Sequence, residues 1–173
     1  MSVFTYFADR LISRANSRAP DVIIGGAERP YMRRWWLIPR NKLFNVYLHQ
    51  FLRSDDGRAH HDHPWLFNAS VILSGEYVEH TIRAGGVLVR TNRPSGSCKI
   101  RFGPAPHRVE LLTIAGFVRT QAENKTPLPC WTLFITGPRY REWGFHCDQA
   151  GWVHWKNFTA AHDPGDIGPG CEP

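Results

Sequence analysis

The sequence predicts an all-β domain, a sandwich or closed barrel of short strands preceded by one amphipathic helix. Three observations carry this. Runs of β-forming residues recur at short, regular spacing, each closed by a turn signal such as Ser74-Gly75, Ala84-Gly85-Gly86, Gly103-Pro104-Ala105-Pro106 or Gly137-Pro138. The 15 glycines and 13 prolines are spread along the 173 residues and punctuate those runs. No helical period of useful length follows residue 20, and no fixed repeat points to a propeller or solenoid.

The elements follow in order. Residues 3–15 place Phe4, Phe7 and Leu11 at helical spacing with Asp9 and Arg10 off the stripe, so the aromatic stripe is expected to pack on the barrel and Pro20 to end the helix. "RRWWLIP" and "KLFNVYLHQFL" then read as apolar strands, "RAHHDH" as a short strand, and "NASVIL" and "EYVEHTIR" as strands flanking Ser74-Gly75. "VLVR", "SCKIRF", "HRVELLTI", "CWTLFIT" and "RYREWGFHC" complete a set of nine or ten strands, and "GWVHWKNF" is expected to cap a barrel end. The organisation expected is a helix over 1–20, a barrel over 30–158 and an irregular tail over 159–173, all one domain.

Composition narrows the function classes. The net charge of +6 is scattered and interleaved with aromatic residues, which suits a solvated surface or a small anionic partner better than a nucleic-acid footprint. No apolar run approaches the roughly 20 residues that cross a bilayer, so no membrane partner is expected. Asp9 and Arg10 interrupt the first apolar run, which does not read as a secretory signal. The four cysteines form no C-x-x-C pair; they are expected to be free thiols in a reducing, cytoplasmic setting. No phosphate loop, nucleophile elbow or catalytic triad pattern is present.

The chemistry concentrates in "GRAHHDHPWLFNASVILSGEY", residues 57–77. A strand turns alternate side chains to opposite faces, so His61 and His63 share one face while His60 and Asp62 share the other. Two imidazoles two residues apart on a strand are placed to share one metal ion. His107, opening a strand directly after the rigid "GPAP" turn, is the best third ligand. Glu110, three residues further on, falls on the opposite face.

This pattern resembles the cupin superfamily, whose first motif reads G-x5-H-x-H-x3/4-E-x6-G. His61-Asp62-His63 supply the H-x-H, Asn68 stands where the family has its glutamate, and Gly75 matches the closing glycine; Gly57 lies near the opening one but out of place. In the second motif, G-x5-P-x-G-x2-H-x3-N, His107 carries the histidine, Gly103 and Pro104 are out of register, and Leu111 replaces the asparagine. The resemblance implies a cupin-like double-stranded β-helix, or jelly-roll barrel, with a divalent metal held by His61, His63 and His107. Dimers are common in the family.

With Asn68 in place of a carboxylate, three neutral imidazoles leave the ion its full charge. Iron(II) is favoured by likeness to three-histidine thiol dioxygenases, and nickel, zinc, copper or manganese are also compatible. Asn68 is expected to line the same pocket as a weak ligand or hydrogen-bonding neighbour, so that Asn68→Glu would tighten metal binding. Tyr47 and His49 share a strand face and Arg141 is a candidate anion anchor; all three are expected in the pocket wall.

The function implied is a non-haem iron oxygenase of a small anionic molecule. Three alternatives stand beside it: an isomerase or binding protein for an anion such as a sugar derivative, a metal-free regulatory cupin, and a 2-oxoglutarate-dependent oxygenase. The last would use His60 and Asp62 with His107 or His146, and Arg119 or Arg141 for the co-substrate.

Overall fold

In the computed structural model, residues 2–55, 57, 59–115, 125–161 and 168–172 are described. Helix α1 (Val3–Asn16) starts at Ser2, whose side-chain oxygen accepts the Thr5 backbone N–H at 3.1 Å, satisfying one of the free amides of the first turn. It ends at Ser17, ahead of Pro20. The expected aromatic stripe does not face the barrel: Phe4 and Phe7 are exposed, and Ala8 and Ala15, flanked by Leu11 and Ile12, make the contact. Small residues on that face let the helix lie close against Trp35, Leu48, Leu73 and Trp131.

The strands are β1 (Val22–Ile24), β2 (Met32–Trp36), β3 (Asn45–Phe51), β4 (His60–His61), β5 (Phe67–Ser74), β6 (Glu76–Arg83), β7 (Val87–Pro94), β8 (Cys98–Phe102), β9 (His107–Leu111), β10 (Thr113–Ala115), β11 (Lys125–Pro127), β12 (Cys130–Thr136), β13 (Gly144–Cys147) and β14 (Gly151–His154), before a short helix α2 (Trp155–Phe158). That is more than the nine or ten expected. β10 and β11 form their own ribbon, and β1 and β14 extend the two main sheets. β1 also carries the first sheet to residues before position 30, where the barrel was expected to begin.

One sheet has the order β1-β2-β3-β12-β5-β8 and the other β14-β13-β4-β9-β6-β7, with antiparallel neighbours throughout. Along the chain β3, β5, β8 and β12 fall in the first sheet and β4, β6, β7 and β9 in the second. The strand orders β3-β12-β5-β8 and β4-β9-β6-β7 are those of a jelly roll, a double-stranded β-helix.

Alternation separates two cores. Trp35, Leu48 and Trp131 point out of the first sheet and pack beneath α1, with the Trp35 and Trp131 rings stacked 5.3 Å apart. Their neighbours Arg34, His49, Thr132 and Phe134 point between the sheets instead. A second cluster of Ile72, Tyr77, Val109, Leu111 and Cys130 closes one end of the interior.

Two glycines are fixed by space. Gly75 turns β5 into β6 at φ +78°, and an added Cβ would come within 2.7 Å of the Pro129 carbonyl oxygen. Gly103 lies against Trp65 so closely that a Cβ would sit 2.1 Å from its carbonyl oxygen, and Gly103 in turn accepts the His63 backbone N–H at 2.9 Å.

The cysteine expectation is corrected. Cys147 of β13 and Cys171 of the tail are joined by a disulfide, while Cys98 and Cys130 are free thiols. The two half-cystines lie in sequence patterns with no shared spacing, so only the fold brings them together. The bond ties the tail to a cluster with Ala59, Phe145 and Phe158, and the argument for a reducing compartment loses its basis. No helix of the described residues is long and apolar enough to cross a membrane.

Candidate metal centre

β4 is only two residues long, yet its backbone contacts continue past His61. The Asp62 N–H donates to the Gly144 carbonyl at 3.0 Å and the His63 N–H to Gly103 at 2.9 Å, so side chains keep alternating through His63. His61 is registered directly against His107 on β9 and against Phe145 on β13. The three imidazoles therefore meet between the sheets. Ring centroids lie 5.1 Å (His61–His63), 4.6 Å (His61–His107) and 5.1 Å (His63–His107) apart, and one ligand atom from each falls within 4.8 Å of the others.

Asp62 points the opposite way. It is 1% exposed and accepts from Arg141 Nη1 at 2.7 Å, the Gly144 N–H at 2.9 Å and Trp152 Nε1 at 3.0 Å, with His146 Nε2 at 3.1 Å. Burial pushes its carboxyl up, but the bonds from His146, Arg141 and Gly144 outweigh this and hold it below the ordinary aspartate value. The H-x-D register therefore builds a clasp between β4 and the C-terminal strands. It does not assemble a metal site: among the described residues the one group of three candidate ligands within reach of one another is His61, His63 and His107. Arg119, proposed for the 2-oxoglutarate reading, lies outside the described residues.

All three imidazoles are held neutral. Burial lowers each pKa below 6.5, and His61 and His107 add to this at His63, Arg101 and His61 at His107. At His61 the nearby Asp55 only partly offsets burial. A buried neutral imidazole is the form that ligates a metal.

Carboxylates stand behind two of them. His61 Nδ1 is 3.6 Å from Asp55 Oδ2 and His107 Nδ1 is 3.4 Å from Glu79 Oε1. Each ring thus has Nδ1 on the side of a carboxylate, but neither contact is a hydrogen bond: His107 Nδ1 is buried without a hydrogen-bond partner, and the His61 pair is too long. His63 Nε2 and His107 Nε2 are 2.9 Å apart. Two neighbouring ligands about 2.1 Å from one ion at a right angle would be about 3 Å apart, so the pair fits a first-row divalent metal.

Glu79 was not anticipated by the motif. It is 0% exposed and accepts from buried Arg101, from Arg93 Nε at 3.0 Å and from Arg93 Nη2 at 2.9 Å. Arg101 also donates to Asn68 Oδ1 at 3.1 Å. Asn68, expected to line the pocket, is instead fully buried behind Arg101 and absent from the cavity wall. A glutamate there would meet the guanidinium before any metal, so the expected gain from Asn68→Glu has no basis in this geometry.

The centre opens into a cavity of about 350 Å³ walled by Tyr31, Phe51, Trp65, Phe134, Trp143 and Phe145, with His49, Arg34 and Arg101 as polar groups. His49 is in this wall, as expected. Burial and the adjacent Arg34, whose Nε donates to His49 Nε2 at 2.9 Å, push its pKa well below 6.5. Tyr47 and Arg141 are not. They line a separate, outer cavity of about 860 Å³ that shares Arg34, Pro64 and Trp65 with the inner one, and Arg141 is occupied by Asp62. The arginines that line the inner cavity are Arg34, Arg53 and Arg101. The sequence hides Arg101: it alternates with Cys98, Ile100 and Phe102 and so reads as solvent-facing, yet the structure turns it inward and leaves Ile100 and Phe102 exposed, while Glu79 shares the face of buried Tyr77. A charge on an inward face demands a partner.

No family model matches the chain and no curated protein matches it. The chain is similar, at low identity, to several solved structures. An uncharacterised conserved protein with a double-stranded β-helix domain from Klebsiella pneumoniae is 15% identical, over 71% of this chain and 90% of that one, with a TM-score of 0.46. Bacillus subtilis oxalate decarboxylase is 16% identical, over 76% of this chain and 31% of the other, at 0.46. A putative mannose-6-phosphate isomerase from Ralstonia eutropha is 14% identical, over 68% and 92%, at 0.46. The strand order defines the class: this is a double-stranded β-helix, or jelly-roll, protein. Within that class its centre is one of three histidines without a carboxylate ligand.

Two outcomes follow. Histidines that are neutral when folded take up protons on unfolding below 6.5, so the metal-free protein is fully stabilised above that pH and loses stability as pH falls toward the depressed values. Urea midpoints between pH 8 and 5 should drop below 6.5 with a slope on the order of 1 kcal/mol per histidine per pH unit; a flat profile contradicts the neutral cluster. Glu79→Gln leaves Arg101 and Arg93 without their carboxylate and should cost about 3–5 kcal/mol. It should also weaken metal affinity about 10–100-fold through His107. Unchanged urea midpoint and metal affinity would remove Glu79 from the site.

Proposed function

We propose that the protein is a metal-dependent oxygenase acting on a small anionic molecule, with His61, His63 and His107 holding iron(II). The observation that carries this reading is the convergence of three neutral imidazoles, with no carboxylate among them, on an aromatic-walled cavity. When bound, the ion supplies open coordination positions and one-electron redox chemistry. The chain's own groups supply the rest. Tyr31, Phe51, Phe134 and Phe145 exclude water, and Arg34, which has no carboxylate partner among the described residues, meets an anion. Asp55 and Glu79 stand 3.6 and 3.4 Å behind the His61 and His107 rings.

The isomerase alternative requires a base that moves a proton on the substrate. The two carboxylates beside the centre are already engaged: Asp55 by the Tyr31 hydroxyl and the Val109 N–H at 2.6 Å, Glu79 by two arginines. Burial, then Asp55, raises the Tyr31 pKa well above its usual value, so it stays a phenol and serves as a donor. Among the described residues the cavity thus offers ligands and donors rather than a free general base.

The test uses protein purified without a histidine tag and loaded anaerobically with iron(II). Anionic candidates that raise its melting temperature are then followed on an oxygen electrode. Oxygen uptake that depends on the ligand and is lost in His63→Ala is expected. Stoichiometric iron with no uptake for any ligand that binds would overturn the oxygenase reading.

A further inference from the structure

The outer cavity has a charge balance unlike the rest of the surface. Arg139 is matched by Glu142 at 2.6 Å and Arg141 by Asp62 at 2.7 Å. Arg34, Arg40 and Lys42 also line it, and among the described residues none of them has a carboxylate partner. Arg34 gives its Nε to neutral His49 and lies over the Tyr47 ring at 5.0 Å, and Arg40 lies over Trp36 at 5.4 Å. Arg34 and Arg40 repel each other, which lowers the Arg34 pKa after burial has done most of that work.

The loop that bears Arg40 and Lys42 is fixed. Asn45 Oδ1 accepts the Asn41 N–H at 3.0 Å, Asn45 Nδ2 donates to the Asn41 carbonyl at 2.9 Å, and Asn41 Oδ1 accepts from Leu43 and Phe44 at 2.9 and 3.0 Å. Three like charges facing one concavity are unfavourable unless an anion joins them. A single carboxylate carries one charge and two oxygens. A phosphate monoester carries about −1.5 to −2 near pH 7 and three acceptor oxygens, and matches the set better.

We propose that the outer cavity binds the phosphate group of a small organic phosphate monoester, whose apolar part passes Arg34, Pro64 and Trp65 into the inner cavity. This rests on the reading of the inner cavity as the site of a small anionic molecule, and it names the class of that anion. Arg34 lines both cavities and is the residue that joins the two halves of the ligand. The aromatic inner walls accept a ring or a short hydrocarbon.

Calorimetric titration of the full chain, metal-free and iron-loaded, with phenyl phosphate, inorganic phosphate and benzoate tests this. Phenyl phosphate should bind about tenfold or more tighter than benzoate, and inorganic phosphate should bind detectably. Arg40→Gln with Lys42→Gln, both exposed, should weaken both phosphates about tenfold or more while leaving benzoate within about twofold. Arg34→Gln should weaken phenyl phosphate further. Benzoate binding as tightly as phenyl phosphate, or phosphate affinity unchanged in the double variant, would overturn the assignment. Phosphate binding retained without iron-dependent oxygen uptake overturns only the oxygenase reading. Iron and ligand-dependent uptake intact, with no phosphate preference, overturns only this one.

Discussion

The interior of this barrel depends on one buried carboxylate. Glu79 sits fully out of water at the middle of β6 and holds two guanidiniums, Arg101 from β8 and Arg93 from β7. A lone ion at that depth would cost several kcal/mol, and so would either arginine without it. The set is tolerable only complete, and completeness fixes the position of everything it touches. Arg101 is held against Asn68, so the position where a fourth ligand would stand is filled by an amide-bound guanidinium. The Glu79 oxygen that Arg101 bonds also lies 3.4 Å from His107 Nδ1, and His107 Nε2 is the nitrogen that approaches His63.

A second carboxylate, Asp62, lies just past β4 and faces away from the two histidines that flank it. Asp62 gathers Arg141, Gly144, His146 and Trp152, all from the C-terminal part of the chain. Its neighbours His61 and His63 point inward because Asp62 points outward. The four bonds that lock Asp62 thereby lock the two metal-facing histidines on either side of it. The Cys147–Cys171 bond holds the same strands to the tail, beside Phe145 and Phe158 of the cavity wall. The C-terminal segment is in this sense part of the site although it contributes no ligand.

Much of the architecture was legible in the sequence because barrel strands are local objects. Turn residues and β-forming runs placed most strands, and the period of two placed His61 and His63 on one face and Asp62 on the other. What failed was long-range. Phe4 and Phe7 have the right spacing for a buried stripe, but the face of α1 that meets the sheet is chosen by Trp35 and Trp131, which need the small side chains of Ala8 and Ala15. Arg141 reads as an anion anchor until Asp62, 79 residues earlier, is found to hold it. Asn68 reads as a pocket residue until Arg101 from the neighbouring strand covers it. Cysteine pairing likewise depends on a contact that no spacing announces. Each of these turns on a partner supplied by tertiary structure, and sequence patterns specify faces rather than partners.

The claim at the centre of this account is that three imidazoles, unaided by a carboxylate, hold a metal ion between the sheets. X-ray absorption at the metal edge, on protein loaded with one equivalent of iron(II) or zinc, tests it most directly. The account predicts scattering from three imidazole rings per metal, falling to two in His63→Ala. A spectrum with carboxylate or sulfur ligands, or one unchanged by His63→Ala, would contradict it.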